Sequence, residues 1–154
     1  NGGFLQQTPI QQNEKILSPL PTRDAVIVPL TILLLAQQRQ RTISELLNDL
    51  PQRYTYSDRL KDFPTEVSQR VLSTMMTANM ESNLTTFKNQ FPDLANPILI
   101  NTIDGIRITL DNSEIVHLRP SGNAPELRCY TEANNEDRAK ELNKLCLTIM
   151  KEWF

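Results

Sequence analysis

The sequence predicts an α+β fold in which helices cover a four- to five-stranded antiparallel sheet. Three observations lead to this prediction. Between residues 98 and 131, apolar and polar residues alternate along short segments, a period of two that is typical of strands. Turn residues such as Asp104-Gly105 separate these segments closely enough for antiparallel hairpins. The final segment carries apolar residues at steps of three and four, which indicates an amphipathic helix lying on the sheet.

The composition is typical of a globular protein, and 154 residues are enough for one domain or for one domain and part of another. Hydrophobic residues make up 39% of the chain and charged residues 22%, which argues against disorder. The net charge of −2 argues against a nucleic-acid-binding protein. No basic segment followed by an apolar run opens the chain, so we expect no signal peptide, no membrane partner and a cytoplasmic protein.

Histidine and cysteine are scarce, which limits metal and redox chemistry. His117 is the only histidine and cannot by itself form a multi-histidine metal site, so we expect this chain to bind no metal. Cys129 lies on a predicted strand and Cys146 on a predicted helix. A disulfide between them stays open, but a reducing cytoplasm favours two buried thiols.

The first part of the chain reads as a piece of a larger unit. It opens with Asn1-Gly2-Gly3 and no methionine, so we expect a fragment of a longer protein. Residues 5–19 are polar and rich in glutamine, and no element is predicted there. Thr22 is expected to cap a helix whose residues 25–36 are nearly all apolar. Pro29 and the short length exclude a membrane span, so a helix apolar on every side should be buried in a domain core.

A second, short helix is predicted where Thr42 and Glu45 have the spacing of a capping box. Pro51 ends this helix and separates it from a new pattern of strand residues. We therefore place a domain boundary and candidate hinge at residues 50–52.

The second part begins with a strand, since residues 53–60 alternate aromatic and polar side chains. Thr65 is expected to cap the helix that follows, and residues 79–90 to form another helical segment. In the first of these helices we expect Met75-Met76 to fill the core. The apolar side of that helix comprises Val67, Val71, Leu72 and Met75.

Four more strands and a last helix complete the chain. The strands are predicted at residues 98–103, 106–110, 115–119 and 126–131, with turns at Asp104-Gly105 and Asp111-Asn112. On the third of them, Ile115, His117 and Arg119 share one face, where we expect His117 to have a structural role. Asn134 or Asn135 should cap the last helix. The apolar stripe of that helix comprises Ala139, Leu142, Cys146, Ile149 and Trp153.

A short polar loop at residues 119–125 carries groups suited to binding an anion. Arg119 ends one strand and Arg128 lies near the start of the next, so in a hairpin both can converge at the loop mouth. Ser121 supplies a hydroxyl, Gly122 a backbone angle that other residues resist, and Asn123 an amide. Guanidinium groups and successive backbone N–H groups suit a phosphate dianion. The alternative is a hairpin turn with two solvated arginines.

Residues 117–133 resemble the C-terminal phosphate-binding loop of the α-D-phosphohexomutases, which include phosphomannomutase, phosphoglucomutase and the phosphoglucosamine mutases. The pattern of that family is Arg-x-Ser-Gly/Asn-Thr-Glu-Pro, followed by a strand with a further arginine. This chain has Asn123 and Ala124 where threonine and glutamate are commoner. The variant resembles a phosphomannomutase-like branch and leaves open which hexose is the substrate.

The resemblance implies an isomerase, an intramolecular phosphotransferase that interconverts hexose 1-phosphate and hexose 6-phosphate. In that family a phosphoserine on the first domain transfers phosphate, aspartates of the second hold Mg²⁺, and the third reads sugar hydroxyls. Residues 53–154 would be the C-terminal domain, which anchors the phosphate that is not being transferred. Residues 1–50 would be the C-terminal remnant of the third, sugar-binding domain, with Asn1, Gly2 and Gly3 as the tail of its sugar loop.

By match to the family motif, the residues expected to bind the phosphate are Arg119, Ser121, Gly122, Asn123 and Arg128. The sequence contains no family-like phosphoserine or metal loop, so we expect no catalytic residue in this chain and no activity from it alone. Mg²⁺ and hexose 1,6-bisphosphate are implied for the full-length enzyme only, and a phosphosugar and the remaining domains are the implied partners. The alternative is a stand-alone, non-catalytic phosphate-binding or interaction module. The oligomeric state stays open.

Overall fold

A computed structural model describes residues 4–154. Its contacts divide the chain into two compact units, the first ending at Pro51 and the second running from Gln52 to Phe154. The assignment of residues 1–50 and 53–154 to two domains of a larger enzyme stays a prediction. The predicted sugar-loop tail, Asn1-Gly2-Gly3, lies outside the described residues. None of the helices described between residues 4 and 154 has the length and apolar character that crossing a membrane requires.

The first unit contains two small antiparallel strand pairs and two helices. Strand β1 (Phe4–Gln6) pairs with β4 (Leu20–Asp24), and β2 (Ile10–Gln12) pairs with β3 (Lys15–Leu17). Residues 5–19, for which no element was predicted, thus include the hairpin of β2 and β3, whose turn holds Asn13 and Glu14 at positive φ. The other elements are α1 (Ile27–Arg39), α2 (Ile43–Leu46) and a 3-10 turn (Leu47–Asp49).

Helix α1 begins later than predicted, and the prediction that Thr22 caps it is wrong. Thr22 lies in β4, whose pairing with β1 extends to Asp24 and keeps the backbone extended. The carboxylate of Asp24 instead accepts a hydrogen bond from the Val26 N–H, at 2.8 Å, just before the helix. Pro29 falls in the first turn, where its missing N–H costs no helical hydrogen bond.

The prediction that α1 is buried is also wrong for this chain. Ala36 is the only buried residue of the helix as described, and Leu33 and Leu34 are each 55% exposed. The physical reason is that the small strand pair β2–β3 of the same unit is itself fully exposed and offers no core to cover an apolar helix. The predicted capping box of α2 is confirmed, since the Thr42 hydroxyl accepts from the Glu45 N–H and the Glu45 carboxylate accepts from the Thr42 N–H.

The second unit is a five-stranded antiparallel sheet with three helices, which confirms the predicted α+β class. The strands are β5 (Tyr54–Lys61), β6 (Pro97–Asn101), β7 (Ile106–Leu110), β8 (Ile115–Pro120) and β9 (Glu126–Ala133). Their order in the sheet is β5-β9-β8-β7-β6, so the first strand of the unit lies beside the last. The helices are α3 (Thr65–Ser73), α4 (Met80–Gln90) and α5 (Glu136–Lys151).

One face of this sheet forms the core with the helices. Alternate residues of β7 and β9 are buried, as the period of two predicts. Helix α5 lies on β5 and β9 with the predicted stripe, of which Ala139, Leu142 and Cys146 are buried and Ile149 and Trp153 partly buried. Cys129 and Cys146 are free buried thiols, as predicted. Hydrogen bonding to Cys146, together with burial, raises the pKa of Cys129 far above its usual range.

Several local predictions for this unit are confirmed and others are wrong. The helix predicted at residues 79–90 is confirmed as α4, and Asn135 caps α5, as predicted. Thr65 does not cap α3, because Pro64 occupies the cap position and Thr65 is already helical. Ile103 lies beyond the end of β6 and is 90% exposed. Met75 fills the core, but Met76 is exposed, since neighbours in sequence point to different sides of a helix.

The beginning of α5 is tied to the turn between β7 and β8 by a partly buried ion pair. The carboxylate of Glu114 accepts hydrogen bonds from Nε and Nη2 of Arg138, at 2.5 and 3.0 Å. Hydrogen bonding from Arg138 is the main reason why the pKa of Glu114 lies below its usual value. Because the folded-state pKa is the lower one, the stabilisation is complete above the unfolded-state pKa and is lost as pH falls through the folded-state value.

We therefore expect Glu114→Gln to lower the free energy of unfolding by about 1–2 kcal/mol at neutral pH. This difference in unfolding free energy should narrow as the pH falls from the ordinary glutamate pKa through the lowered folded-state pKa of Glu114, where the folded protein takes up the proton. Urea unfolding followed by fluorescence of Trp153, the one tryptophan of the chain, measures this unit alone. Glu141→Gln is the matched control, because Glu141 pairs with the same arginine but is exposed. A difference that stays constant with pH would contradict the role of the charge.

Candidate functional site

The loop predicted to bind an anion connects β8 to β9 and is closed by its own backbone. The Ser121 N–H donates to the Glu126 carbonyl at 2.9 Å, and the Glu126 N–H donates to the Ala124 carbonyl at 2.8 Å. The Phe63 N–H donates to the Pro125 carbonyl, also at 2.9 Å, and so ties the loop to the segment that precedes α3. The loop is therefore held at both of its ends and against a neighbouring element.

The register of β8 and β9 places Arg119 directly opposite Arg128. Both residues lie on the sheet face that points away from α5, because their neighbours Leu118, Leu127 and Cys129 point into the core. Two like charges directly opposite each other destabilise a strand pair. Nearby anions would relieve this repulsion, and each arginine has one carboxylate beside it.

Each of these two arginines forms an ion pair with one carboxylate. Nε of Arg119 forms an ion pair with Asp104 at 3.0 Å. Nη2 of Arg128 lies 3.5 Å from the Glu126 carboxylate and donates to the Ser121 hydroxyl at 3.3 Å. Nε of Arg128 is buried and has no hydrogen-bond partner among the described residues. Because Nε is closed to solvent, a ligand would contact the exposed part of the Arg128 side chain, which is 36% exposed. Two partly exposed guanidinium groups suit an anionic ligand with several acceptor oxygens.

The three residues at the tip of the loop differ in their surroundings. Ser121 is 8% exposed, and its hydroxyl also accepts from the Asn123 N–H at 3.4 Å. Asn123 is exposed. The prediction that Gly122 is needed for an unusual backbone angle is wrong: its φ is not in the left-handed region, and an added Cβ would meet nothing within 4 Å. Gly122 leaves the loop surface open to a ligand.

An open depression of about 490 Å³ lies between the loop and the first turns of α3. Its volume falls in the range of small-molecule sites, about 300–1,000 Å³. Thr65 and Gln69 of α3 form one wall, and the loop residues 120–125 form the other. The first backbone N–H groups of a helix carry partial positive charge, so this wall also favours a negatively charged ligand.

Sequence analysis did not identify the residues that hold Arg119. Asp104 and Gly105 were predicted only as a turn, which they form between β6 and β7. Gly105 lies against the β8 backbone, and the Asp104 carbonyl lies 2.5 Å from Nε2 of His117. His117 also packs against Tyr130, with ring centroids 5.4 Å apart, in keeping with a structural role on the sheet. Only the register of β7 and β8 brings this turn to Arg119, and no local pattern encodes it.

Residues 4–154 contain no group of three or more histidine, cysteine or acidic side chains close enough to hold a metal ion. The described residues therefore do not fit a Mg²⁺ site. The expectation that Mg²⁺ binds elsewhere in a full-length enzyme stays a prediction.

Comparisons with known proteins identify relatives of this chain. Residues 76–146 match the family model described as phosphoglucomutase/phosphomannomutase, C-terminal domain. The chain is 40% identical over 151 residues to a phosphomannomutase of Salmonella muenchen, covering 98% of the chain and 30% of that protein. It is 30% identical over 152 residues to a phosphomannomutase of Sinorhizobium fredii, covering 97% of the chain and 31% of that protein.

A probable phosphoglucosamine mutase of Methanobrevibacter smithii is 29% identical over 110 residues, which cover 71% of the chain and 22% of that protein. The chain thus spans about three tenths or less of the length of these relatives. The stretch matched by the family model includes the whole candidate loop with both of its arginines.

Proposed function

This chain belongs to the phosphoglucomutase/phosphomannomutase family, and from that premise we propose that its second unit anchors the non-transferred phosphate of a hexose phosphate. The full-length enzyme would be a phosphomannomutase-like isomerase that interconverts hexose 1-phosphate and hexose 6-phosphate. The two relatives named phosphomannomutase, which align over nearly the whole chain, support mannose as the hexose. A cytoplasmic location and the other domains of the same enzyme as partners belong to this proposal.

The observation that carries the proposal is that Arg119 and Arg128 lie directly opposite each other at the mouth of the loop and that both side chains are partly exposed. A phosphate dianion has acceptor oxygens for two guanidinium groups and for backbone N–H groups at once. The Gly122 N–H, the Ser121 hydroxyl and the Asn123 side-chain amide would donate hydrogen bonds to the same oxygens. These contacts would recognise the phosphate and not the sugar, so the loop could bind the substrate through a phosphate at position 1 or at position 6.

The chemical step would take place on other parts of the full-length enzyme. Mg²⁺ bound there would stabilise charge on the phosphoryl group. The residues of this chain would fix one phosphate and so set the position of the sugar hydroxyl at the opposite end of the substrate. The hexose 1,6-bisphosphate would be held at this loop by either of its two phosphates.

We expect the 154-residue chain to bind inorganic phosphate weakly, because part of a substrate's contacts would lie on other domains. In a titration followed by amide chemical shifts, the changes should centre on Ser121, Gly122 and Asn123. Sodium chloride at matched ionic strength is the salt control, and Arg119→Ala should abolish most of the localised shift. Changes spread evenly over the surface, or the same in both proteins, would mean charge screening and would exclude the loop as the anchor.

We also expect the chain by itself to have no mutase activity, since it carries no candidate phosphoserine or metal loop. The assay supplies mannose 1-phosphate or glucose 1-phosphate, Mg²⁺ and hexose 1,6-bisphosphate, with the full-length enzyme as positive control. Turnover by the purified chain, at a rate that follows its concentration through chromatography, would contradict this prediction.

A further inference from the structure

A third arginine lies in the same row as the two arginines of the loop. Arg59 of β5 is directly opposite Arg128 of β9, which is itself opposite Arg119 of β8. Side chains directly opposite each other in an antiparallel sheet lie on the same face. Three guanidinium groups on three adjacent strands thus form one line across the open face of the sheet, at the end that carries the loop.

This line of arginines has fewer counterions than charges. One carboxylate, that of Glu126, lies 3.2 Å from Nε of Arg59 and 3.5 Å from Nη2 of Arg128. Asp104 is the counterion of Arg119. Two carboxylates therefore neutralise three arginines only in part. Because like charges directly opposite each other destabilise a sheet, a further anion would stabilise this row. Glu126 approaches Arg59 at Nε, so this ion pair leaves the two terminal nitrogens of the Arg59 guanidinium available.

Arg59 and Arg128 also line one open groove together with Lys61 and Lys151. Two carboxylates, Asp58 and Asp62, also line this groove, and Glu126 pairs with both arginines, so the cations exceed the carboxylates by one. The excess of positive charge contrasts with the net charge of −2 for the whole chain. Such a local excess attracts anions and raises their concentration at this edge of the sheet.

We propose that Arg59 is a third arginine of the anion site and contacts the phosphate held by Arg119 and Arg128. The proposal rests on the proposed function, because the ligand is the phosphate of the same hexose phosphate. A phosphate monoester has three terminal oxygens that accept charge-assisted hydrogen bonds, so it can serve three guanidinium groups. Glu126 would hold Arg59 at Nε and leave its terminal nitrogens to the phosphate, on the side of Arg128 away from Arg119.

The test measures the Kd of the 154-residue chain for inorganic phosphate by amide chemical shifts, at constant ionic strength. Arg59→Ala should raise Kd about three- to tenfold, the loss expected for a partly exposed charge-assisted contact. Lys144→Ala on the exposed side of α5 removes the same charge and should change Kd less than about twofold. Arg59→Lys should recover only part of the affinity, since a lysine offers no fork of donors.

Repeating the measurement in a Glu126→Gln variant distinguishes direct contact of Arg59 with the phosphate from an indirect effect of Arg59 through Glu126. Without Arg59, Glu126 would be free to draw Arg128 away from the ligand, so Arg59→Ala is repeated with Glu126→Gln. The proposal requires Arg59→Ala to raise Kd in that background as well. If Kd does not change there, Arg59 serves only as the counterion of Glu126 and the inference fails, while the loop anchor stands. If Arg119→Ala also leaves Kd unchanged, the proposed function itself fails.

Discussion

Replacing Arg119 with alanine in the full-length enzyme is expected to lower kcat/KM about ten- to a hundredfold or more. Charge-assisted hydrogen bonds to a partly desolvated anion contribute about 1.5–3 kcal/mol each, and each 1.4 kcal/mol corresponds to a factor of ten. Arg119→Lys should recover only part of this loss, because lysine offers a point charge where arginine offers two parallel donors.

The loss should be similar for the 1-phosphate and the 6-phosphate substrate. The anchor holds the phosphate that does not react, and over one reaction cycle each phosphate occupies it once. The anchored phosphate also orients the reacting end of the sugar, so part of the loss should appear in kcat and not only in KM. The measurement is kcat and KM with both substrates for wild type and the two variants.

Arg107→Ala is the matched control for this experiment. Arg107 lies on the same open face of the sheet, opposite His117, and pairs with Glu132 rather than with the loop. Its removal takes away the same charge and should change kcat/KM by less than about threefold. If Arg119→Ala stays near wild type for both substrates, or matches Arg107→Ala, Arg119 is a solvated hairpin residue and the anchor assignment is wrong.

Replacing Gly105 with alanine is expected to lower the free energy of unfolding by about 2–4 kcal/mol, through backbone strain and overpacking. Gly105 has a φ of 77°, a conformation that residues with a Cβ rarely adopt. The added Cβ would lie 2.4 Å from the Leu118 carbonyl oxygen and 3.1 Å from Cα of Arg119. These are backbone atoms of a central strand, so they cannot move aside without disturbing the sheet.

Gly122→Ala is the control, since an added Cβ there meets nothing within 4 Å. Its effect on stability should stay within about 0.5 kcal/mol. Urea unfolding followed by Trp153 fluorescence compares the two variants, and equal stabilities would contradict the close packing of the turn against β8. Because Arg119 belongs to the backbone that must shift, Gly105→Ala should also weaken phosphate binding in the titration described above.

Much of the second unit could be predicted from the sequence, because its signals are local. The alternation of Ile106, Ile108 and Leu110 identified a strand with one buried face, and the spacing of apolar residues identified the face of α5 that packs on the sheet. The candidate anchor residues were found the same way, since Arg119 to Arg128 lie within ten positions and form a recognisable motif. These features depend on backbone periodicity and turn chemistry, which neighbouring residues determine.

What the sequence by itself determined, then, is the fold class of the second unit, most of its elements and the loop with its donors. Only the tertiary structure decided that α1 begins after Asp24, that Gly105 rather than Gly122 is the conformationally demanding glycine, and that Arg59 joins the row of arginines. Each of these depends on contacts between strands that are brought together in the folded unit. Strand register follows from the packing of the whole sheet, and a shift of one residue would move Arg59 to the opposite face.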